Sequence, residues 1–235
     1  MIKIPAKAVA DMRYLLSQGY EKNQVLTWVG NKYQLSKDQR QLLNRSICAP
    51  ETAKKRQKKK QGLWRLRGSI LGIDGHNVLI TVESALKNRI LLLADDGFIR
   101  DIAGVSASYR PSKTTYKALK VILTLLSLYK PTQIDWYYDA PLSRSGELAA
   151  TTRKFLKACG LKGKAEAVPV PERFLSAYPL VATSDGALID ICSEVIDLAG
   201  EVINFSKLTK QPILRLKKLP SEREYWARKN EKIML

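Results

Sequence analysis

The sequence predicts an α/β protein, a doubly wound and mainly parallel sheet preceded by a small all-helical domain. Three observations predict it. From residue 69 to about 205, short apolar runs that end in an acid alternate with amphipathic stretches, the pattern of successive βα units. Residues 5–47 carry apolar positions at helical spacing only. Between them, residues 54–60 hold lysines and an arginine with no acid, a composition that marks a boundary. The chain divides accordingly into a helical module (1–50), a basic linker (51–68), an α/β domain (69–206) and a basic C-terminal tail (207–235).

In the helical module Pro5 suits a first helical position, Val9, Met12 and Leu16 form one stripe, and Gly19 is a stop. Val25, Leu26, Val29 and Tyr33 give a second helix its apolar face. Ser36-Lys37-Asp38-Gln39 has the capping-box pattern and opens a third helix through Leu42, Leu43 and Ile47. Three helices this small suit a helix-turn-helix variant or a helical module of another use. Ala49-Pro50-Glu51-Thr52 breaks the third helix. The run behind it, Lys54, Lys55, Arg56, Lys58, Lys59 and Lys60, repels itself and is expected to stay solvated. Trp64, Arg65 and Arg67 follow, so the whole stretch is a candidate for phosphate contact. A fragment beginning near Leu63 is expected to fold by itself.

In the α/β domain Ile70, Leu71 and Ile73 make a buried strand that stops at Asp74, and Asn77 through Leu86 reads as a helix. Ile90–Leu93 reads as a strand leading into the turn Ala94-Asp95-Asp96-Gly97. Tyr116–Tyr129 is a buried helix whose stripe, Leu119, Ile122, Leu123 and Leu126, is core. Gln133–Tyr138 is a strand ending in Asp139, with a helix over Ser145–Ala158. Glu166–Val170 is extended. Leu180–Thr183 is a strand ending in Ser184-Asp185, followed by a helix from Ala187 to Leu198 and a last strand near Glu201–Phe205. No repeat of solenoid length is present.

Forty Lys and Arg against 22 Asp and Glu give a net charge of +18, which points to a polyanionic partner, nucleic acid first. Cys48, Cys159 and Cys192 are odd in number and far apart, which argues against a disulfide scaffold and a zinc site. The most apolar stretch, Val121–Leu128, is far too short to span a membrane, and with no signal-peptide core at its start the protein is expected to be cytoplasmic. The sequence leaves room for a homo-oligomer.

Asp74, Asp139 and Asp185 each follow a predicted strand. Singly, each could cap the next helix. In an open α/β sheet, however, ligands bind outside the carboxyl ends of the strands. Three carboxylates converging there repel one another unless a cation or shared protons offset the charge, and all-oxygen ligands favour magnesium or manganese. Other chemistries fit worse. A haloacid-dehalogenase-type phosphatase needs a second acid two places after the first, where this chain has His76; a dinucleotide fold needs GxGxxG, which is absent. His76 is the sole histidine and so the sole candidate imidazole base; it is expected at the site rim or packed, which argues against a serine triad.

Asp74-Gly-His-Asn77-Val-Leu resembles the first motif of the PIN-like and NYN nucleases, and Thr183-Ser184-Asp185 with Asp190 beyond it resembles their late motif; Asp139-Ala-Pro-Leu-Ser143-Arg-Ser145 supplies the middle acid. The whole chain, with its N-terminal helical module, is similar to an uncharacterised conserved family carrying a PIN-like domain. The resemblance covers residues 69–205. It implies a PIN-like doubly wound fold and hydrolysis of nucleic-acid phosphodiesters, RNA before DNA, by water activated on Mg or Mn at Asp74, Asp139 and Asp185. Asn77, Ser143, Ser145 and Ser184 would then hold phosphate or metal-bound water. A fourth acid, Asp95, Asp96 or Asp190, is implied without a choice among them. The alternative is a non-catalytic RNA-binding or regulatory protein that kept the fold.

Overall fold

The computed structural model describes residues 3–102 and 109–216. Its first three helices are α1 (Ala6–Ser17), α2 (Lys22–Lys32) and α3 (Lys37–Ser46). Gly19 ends the first at a φ of 85°, a conformation that favours glycine. Ser36 and Gln39 form the reciprocal capping box at the start of α3. Val9, Met12, Leu16, Val25, Val29 and Leu43 meet in a core of their own.

The segment expected to be a solvated linker is instead ordered. The third helix does end before Pro50, at Ser46, but Pro50 then opens a fourth, α4 (Pro50–Lys59), because proline at the first helical position gives up an N–H that has no partner there. Glu51 lies in the first turn and Arg56, Lys58 and Lys59 in the last, the polarity that complements the helix dipole. The charges at its two ends thus favour the helix where self-repulsion along the run opposes it. Strand β1 (Lys60–Gln61) follows, then a 3-10 turn over Leu63–Leu66 that buries Leu66.

The remaining elements are β2 (Ile70–Asp74), α5 (Gly75–Leu86), β3 (Leu91–Leu93), β4 (Ile99–Asp101), α6 (Lys113–Tyr129), β5 (Gln133–Asp139), α7 (Ser145–Ala158), β6 (Gly163–Val168), α8 (Pro171–Leu175), β7 (Leu180–Ala182), α9 (Gly186–Ile191), β8 (Val195–Ile196) and α10 (Leu198–Phe205). Six strands form one parallel sheet in the order β1-β8-β7-β2-β5-β6. After laying down edge strand β1, the chain crosses to the middle of this sheet at β2, winds outward through β5 and β6, and returns to the other side of β2 for β7 and for β8, which pairs with β1. The order therefore reverses at β2, which creates a crevice at the carboxyl ends of β2 and β7.

Strand residues alternate between the two faces as the pleat requires. Leu71, Ile73, Ile134, Trp136, Tyr138 and Ala182 pack with Leu79 and Val82 of α5, Leu119 and Leu123 of α6, Leu148 of α7 and Val202 of α10. Tyr137, Val181 and Val195 pack on the opposite face with Leu175, Leu188 and Ile189. Gly72 faces that second layer so closely that a Cβ would come 2.8 Å from the Tyr178 ring.

Three expectations for the α/β domain change. The strand at Leu91–Leu93 pairs antiparallel with β4 in a separate two-stranded sheet. The helix read over Ala187–Leu198 stops at Ile191, giving way to β8. The strand read near Glu201–Phe205 is helix α10, opened by the Asp197 side chain, which accepts the Gly200 N–H at 3.0 Å. Part of the C-terminal tail is placed: Leu214 bridges to Leu92. Residues 217–235 of that tail lie outside the described residues.

Candidate functional site

Asp74 ends β2 and stands before α5 without capping it. Gly75 follows because β5 runs too close for a side chain; a Cβ there would lie 2.6 Å from the Tyr138 ring and 2.8 Å from the Tyr137 carbonyl. Asp74 Oδ2 accepts from Asn77 Nδ2 at 2.7 Å and from the Thr183 hydroxyl at 2.8 Å. The same Thr183 oxygen accepts the Asp185 N–H at 3.0 Å, while Asp185 Oδ1 caps α9 by accepting the Leu188 N–H at 3.0 Å. Thr183 thus joins the ends of β2 and β7 at the crevice. Burial pushes the Asp74 carboxyl up to about 7; the hydrogen bonds from Thr183 and Asn77 oppose that rise, and the charges of Asp185 and Asp139 add to it.

Asp139, at the end of β5, is held differently. His76 is fully buried, and its Nδ1 lies 2.9 Å from Asp139 Oδ2 and 3.0 Å from the Asp139 backbone N–H. One ring nitrogen cannot donate to the carboxylate and accept from the amide at once. Nε2 is buried and has no hydrogen-bond partner among the described residues. His76 therefore packs beneath the site, edge-on to the rings of Tyr109 and Tyr138.

The expected cluster is looser than its sequence pattern suggested. Asp74, Asp139 and Asp185 share one electrostatic neighbourhood, yet among the described residues no three histidine, cysteine, aspartate or glutamate side chains converge closely enough to hold a metal. The three proposed fourth acids are occupied by arginines. Asp95 pairs with Arg13 of the helical module at 2.7 Å. Asp96 is buried between Arg100 and Arg56, at 2.8 and 2.9 Å; burial opposes its ionisation, but the two guanidiniums hold its pKa below the ordinary value. Asp190 takes the other side of Arg56 at 2.7 Å.

The basic stretch also divides. Arg56 is committed to Asp96 and Asp190, Lys59 donates to the Ile189 and Asp190 carbonyls, Lys60 reaches Asp197 and lies over the Phe98 ring, and Arg65 pairs with Glu194. Only Lys54, Lys55, Lys58 and Arg67 of the eight expected contacts are exposed. Among the expected phosphate-holding residues, Ser145 is spent on its own turn, donating to the Asp139 and Leu142 carbonyls. Ser143 lies in that turn, half-buried. Ser184 is different: its hydroxyl is buried without a partner.

Beside the crevice lies a cavity of about 330 Å³, lined by Lys22 of α2, Asn44 to Cys48 at the end of α3, Arg56, Asn77, Asp96, Arg100, Ser184 to Ala187 and Asp190. Four cations therefore face three carboxylates. Arg100 donates to the Ser184 carbonyl at 2.7 Å, and Arg45 to the Asp101 carbonyl at 2.6 Å. Lys22 donates to the Asn44 carbonyl at 2.6 Å and makes no ion pair among the described residues; burial first, then the charges of Arg100 and Arg56, lowers its pKa. Burial likewise pushes the Cys48 thiol up to about 11 and leaves it a poor nucleophile. Sequence reasoning missed Lys22 and Arg45, because nothing local to a helical module signals that it closes a cleft over a distant sheet.

No helix among the described residues is long and apolar enough to cross a membrane. Residues 6–59 match a family described as a protein of unknown function (DUF434). An uncharacterized protein of Methanocaldococcus jannaschii is 34% identical over 203 residues, which cover 86% of this chain and 97% of that one. No solved structure matches the chain. Residues 63–201, more than half of the length, match a further family, and on that match and the archaeal relative the chain belongs to the family described as a domain of unknown function (DUF5616).

Proposed function

We propose that the protein hydrolyses phosphodiester bonds of nucleic acid, RNA before DNA, at the crevice between β2 and β7. The observation that carries the reading is the pairing of a buried carboxylate, Asp74, at the reversal point of a parallel sheet with an adjoining cavity lined by Lys22, Arg45, Arg56 and Arg100. A polyanion and a cation both have partners there.

The donor chemistry fits a divalent ion of the magnesium class, which keeps several waters and uses one or two carboxylates plus substrate oxygens rather than a closed protein cage. Asp74 and Asp185 would hold it, with Asp139 adding field from β5. Bound there, magnesium or manganese supplies an activated water and neutralises charge on the phosphate. The chain's own residues prepare the site. Asn77 and Thr183 fix the Asp74 carboxylate through one oxygen, and the Thr183 contact to the Asp185 N–H fixes the two acids relative to each other. Arg100 and Lys22 offset the phosphate charge.

A second reading, a nucleic-acid-binding protein without catalysis, is favoured by the pairing of Asp95, Asp96 and Asp190 with arginines, which leaves a small acid set. Incubating the pure full chain with mixed RNA and DNA, with and without manganese, decides between them. Metal-dependent cleavage lost in Asp74→Asn supports hydrolysis; binding without cleavage under every metal condition removes it.

A further inference from the structure

The cavity beside the crevice holds more cationic character than the acids in it use. Asp96 is shared by Arg100 and Arg56, and Asp190 by Arg56 alone, while Asp185 is turned to the start of α9 through Oδ1. Lys22 is left with a backbone carbonyl as its only hydrogen-bonding partner among the described residues. Keeping an ammonium half-buried without a carboxylate is costly. The Ser184 hydroxyl is a second unexplained group: the residue is 3% exposed, it lines the cavity, and its oxygen bonds to nothing among the described residues. Two polar side chains from distant parts of the chain, one cationic and one a hydroxyl, thus share a cavity and lack the same thing, an anion with several acceptor oxygens.

The walls restrict what that anion can be. α2 and the end of α3 close one side, and α4 with the start of α9 the other. Arg56 stands so close to α9 that a Cβ on Gly186 would lie 2.8 Å from its guanidinium nitrogens. About 330 Å³ is at the small end of ligand sites and suits a phosphate with at most its own nucleoside. A terminal phosphate monoester, with up to two charges and three free oxygens, uses Lys22 and Ser184, with Arg45 beside them already paired to the Asp101 carboxylate at 3.4 Å, better than an internal diester with one charge.

We propose that this cavity binds a terminal phosphate monoester of a nucleic-acid strand and so positions the strand end beside Asp74. The inference rests on the phosphodiester reading for its polymer but not for its binding step. The helical module is then part of the substrate seat, since Lys22 and Arg45 belong to it.

The test is equilibrium binding by the full chain in EDTA, with one oligoribonucleotide prepared with a 5′-phosphate, a 3′-phosphate or hydroxyls at both ends, and with free adenosine monophosphate as competitor. One phosphorylated end should bind about tenfold tighter than the hydroxyl-ended strand, the value of one or two charged hydrogen bonds. Lys22→Met and Ser184→Ala should abolish that preference, while thermal melts stay nearly level, because the first removes a half-buried charge that has only the Asn44 carbonyl as partner and the second a buried hydroxyl that has none among the described residues. Competition by the mononucleotide with equal affinity would assign the cavity to a free nucleotide and overturn the strand-end proposal. Equal affinity for all three oligonucleotides on the wild-type chain overturns it without any variant. Manganese-dependent cleavage with no end preference would sink this inference alone; end preference without cleavage would support it and remove the hydrolase reading instead.

Discussion

The Thr183 hydroxyl donates to Asp74 at 2.8 Å and accepts from the backbone of Asp185 at 3.0 Å, so one side chain sets the spacing of two acids carried by neighbouring strands. Valine in its place keeps the shape and removes both bonds. Thr183→Val should leave the fold intact at a cost of about 1–3 kcal/mol, for the Asp185 N–H left without its acceptor and for Asp74 Oδ2 held by Asn77 alone, and reduce metal-dependent cleavage far more than nucleic-acid affinity in EDTA. Equal losses in both assays would make Thr183 a packing residue only.

Asp74 gives the molecule a pH dependence of unusual sign for a carboxylate. Its folded value of about 7 lies above the ordinary 3.8, so between about 4 and 7 the folded chain keeps a proton that the unfolded chain has lost. Stability in EDTA should therefore fall as pH rises through that window and level off above it. Asp74→Asn removes the buried charge and should raise the melting temperature at pH 8, by free energies on the order of 1–3 kcal/mol. Metal binding needs the carboxylate, so manganese affinity should climb from pH 6 to 8. A melting temperature flat from pH 5 to 8 in the wild-type chain would count against the buried ionisation.

The ordered basic helix changes what salt dependence should report. Lys54, Lys55 and Lys58 are exposed, whereas Lys59 and Lys60 are tied to α9, Gly97 and Asp197. Replacing the first three by alanine should reduce the log-log salt slope of nucleic-acid binding by up to about 3 with the melt unchanged. Lys60→Ala should instead lower stability, by about 1–3 kcal/mol, through the buried Asp197 left behind. If the two variants change places in these assays, the exposed face of α4 does not meet phosphate.

A fragment starting at Leu63 should now fail to fold stably, contrary to what the composition suggested. It would lack Lys60, which pairs with the buried Asp197, and Arg56, which shares the buried Asp96 with Arg100; removing one partner of a buried pair costs about 3–5 kcal/mol, and that figure applies to Asp197, since Asp96 keeps Arg100. Circular dichroism and proteolysis of that fragment beside the full chain provide the check. A fragment as protease-resistant as the full chain would restore the linker boundary.

How far the molecule could be read in advance depended on the reach of each interaction. Strands ending in Asp74 and Asp139 were legible because an apolar run stopped by an acid is a local signal, and so was the box at Ser36 and Gln39. Val195 and Ile196 were not, since two residues carry no period, and the cap at Asp197 was overlooked beside the apolar run after it. At α4 the sum of like charges outweighed the proline and the favourable end charges. Asp95, Asp96 and Asp190 resembled metal ligands because Arg13 and Arg56 reach them from distant helices, although Arg100, four residues from Asp96, was in plain view. The cavity was beyond sequence reasoning for that cause too: Lys22, Arg45, Arg100 and Ser184 meet only after the module has docked.

Strand β1 has a consequence for how the chain is made. Lys60 and Gln61 leave the ribosome early, yet their pairing partners, Val195 and Ile196, are among the last residues of the α/β domain to emerge. Throughout synthesis that strand waits with its edge unpaired, next to a helical module already able to close its own core. A waiting edge invites pairing with another nascent chain, and lysines at an edge are a known deterrent. Lys60 in the strand and the basic end of α4 just before it put at that edge the kind of charge that deters such pairing.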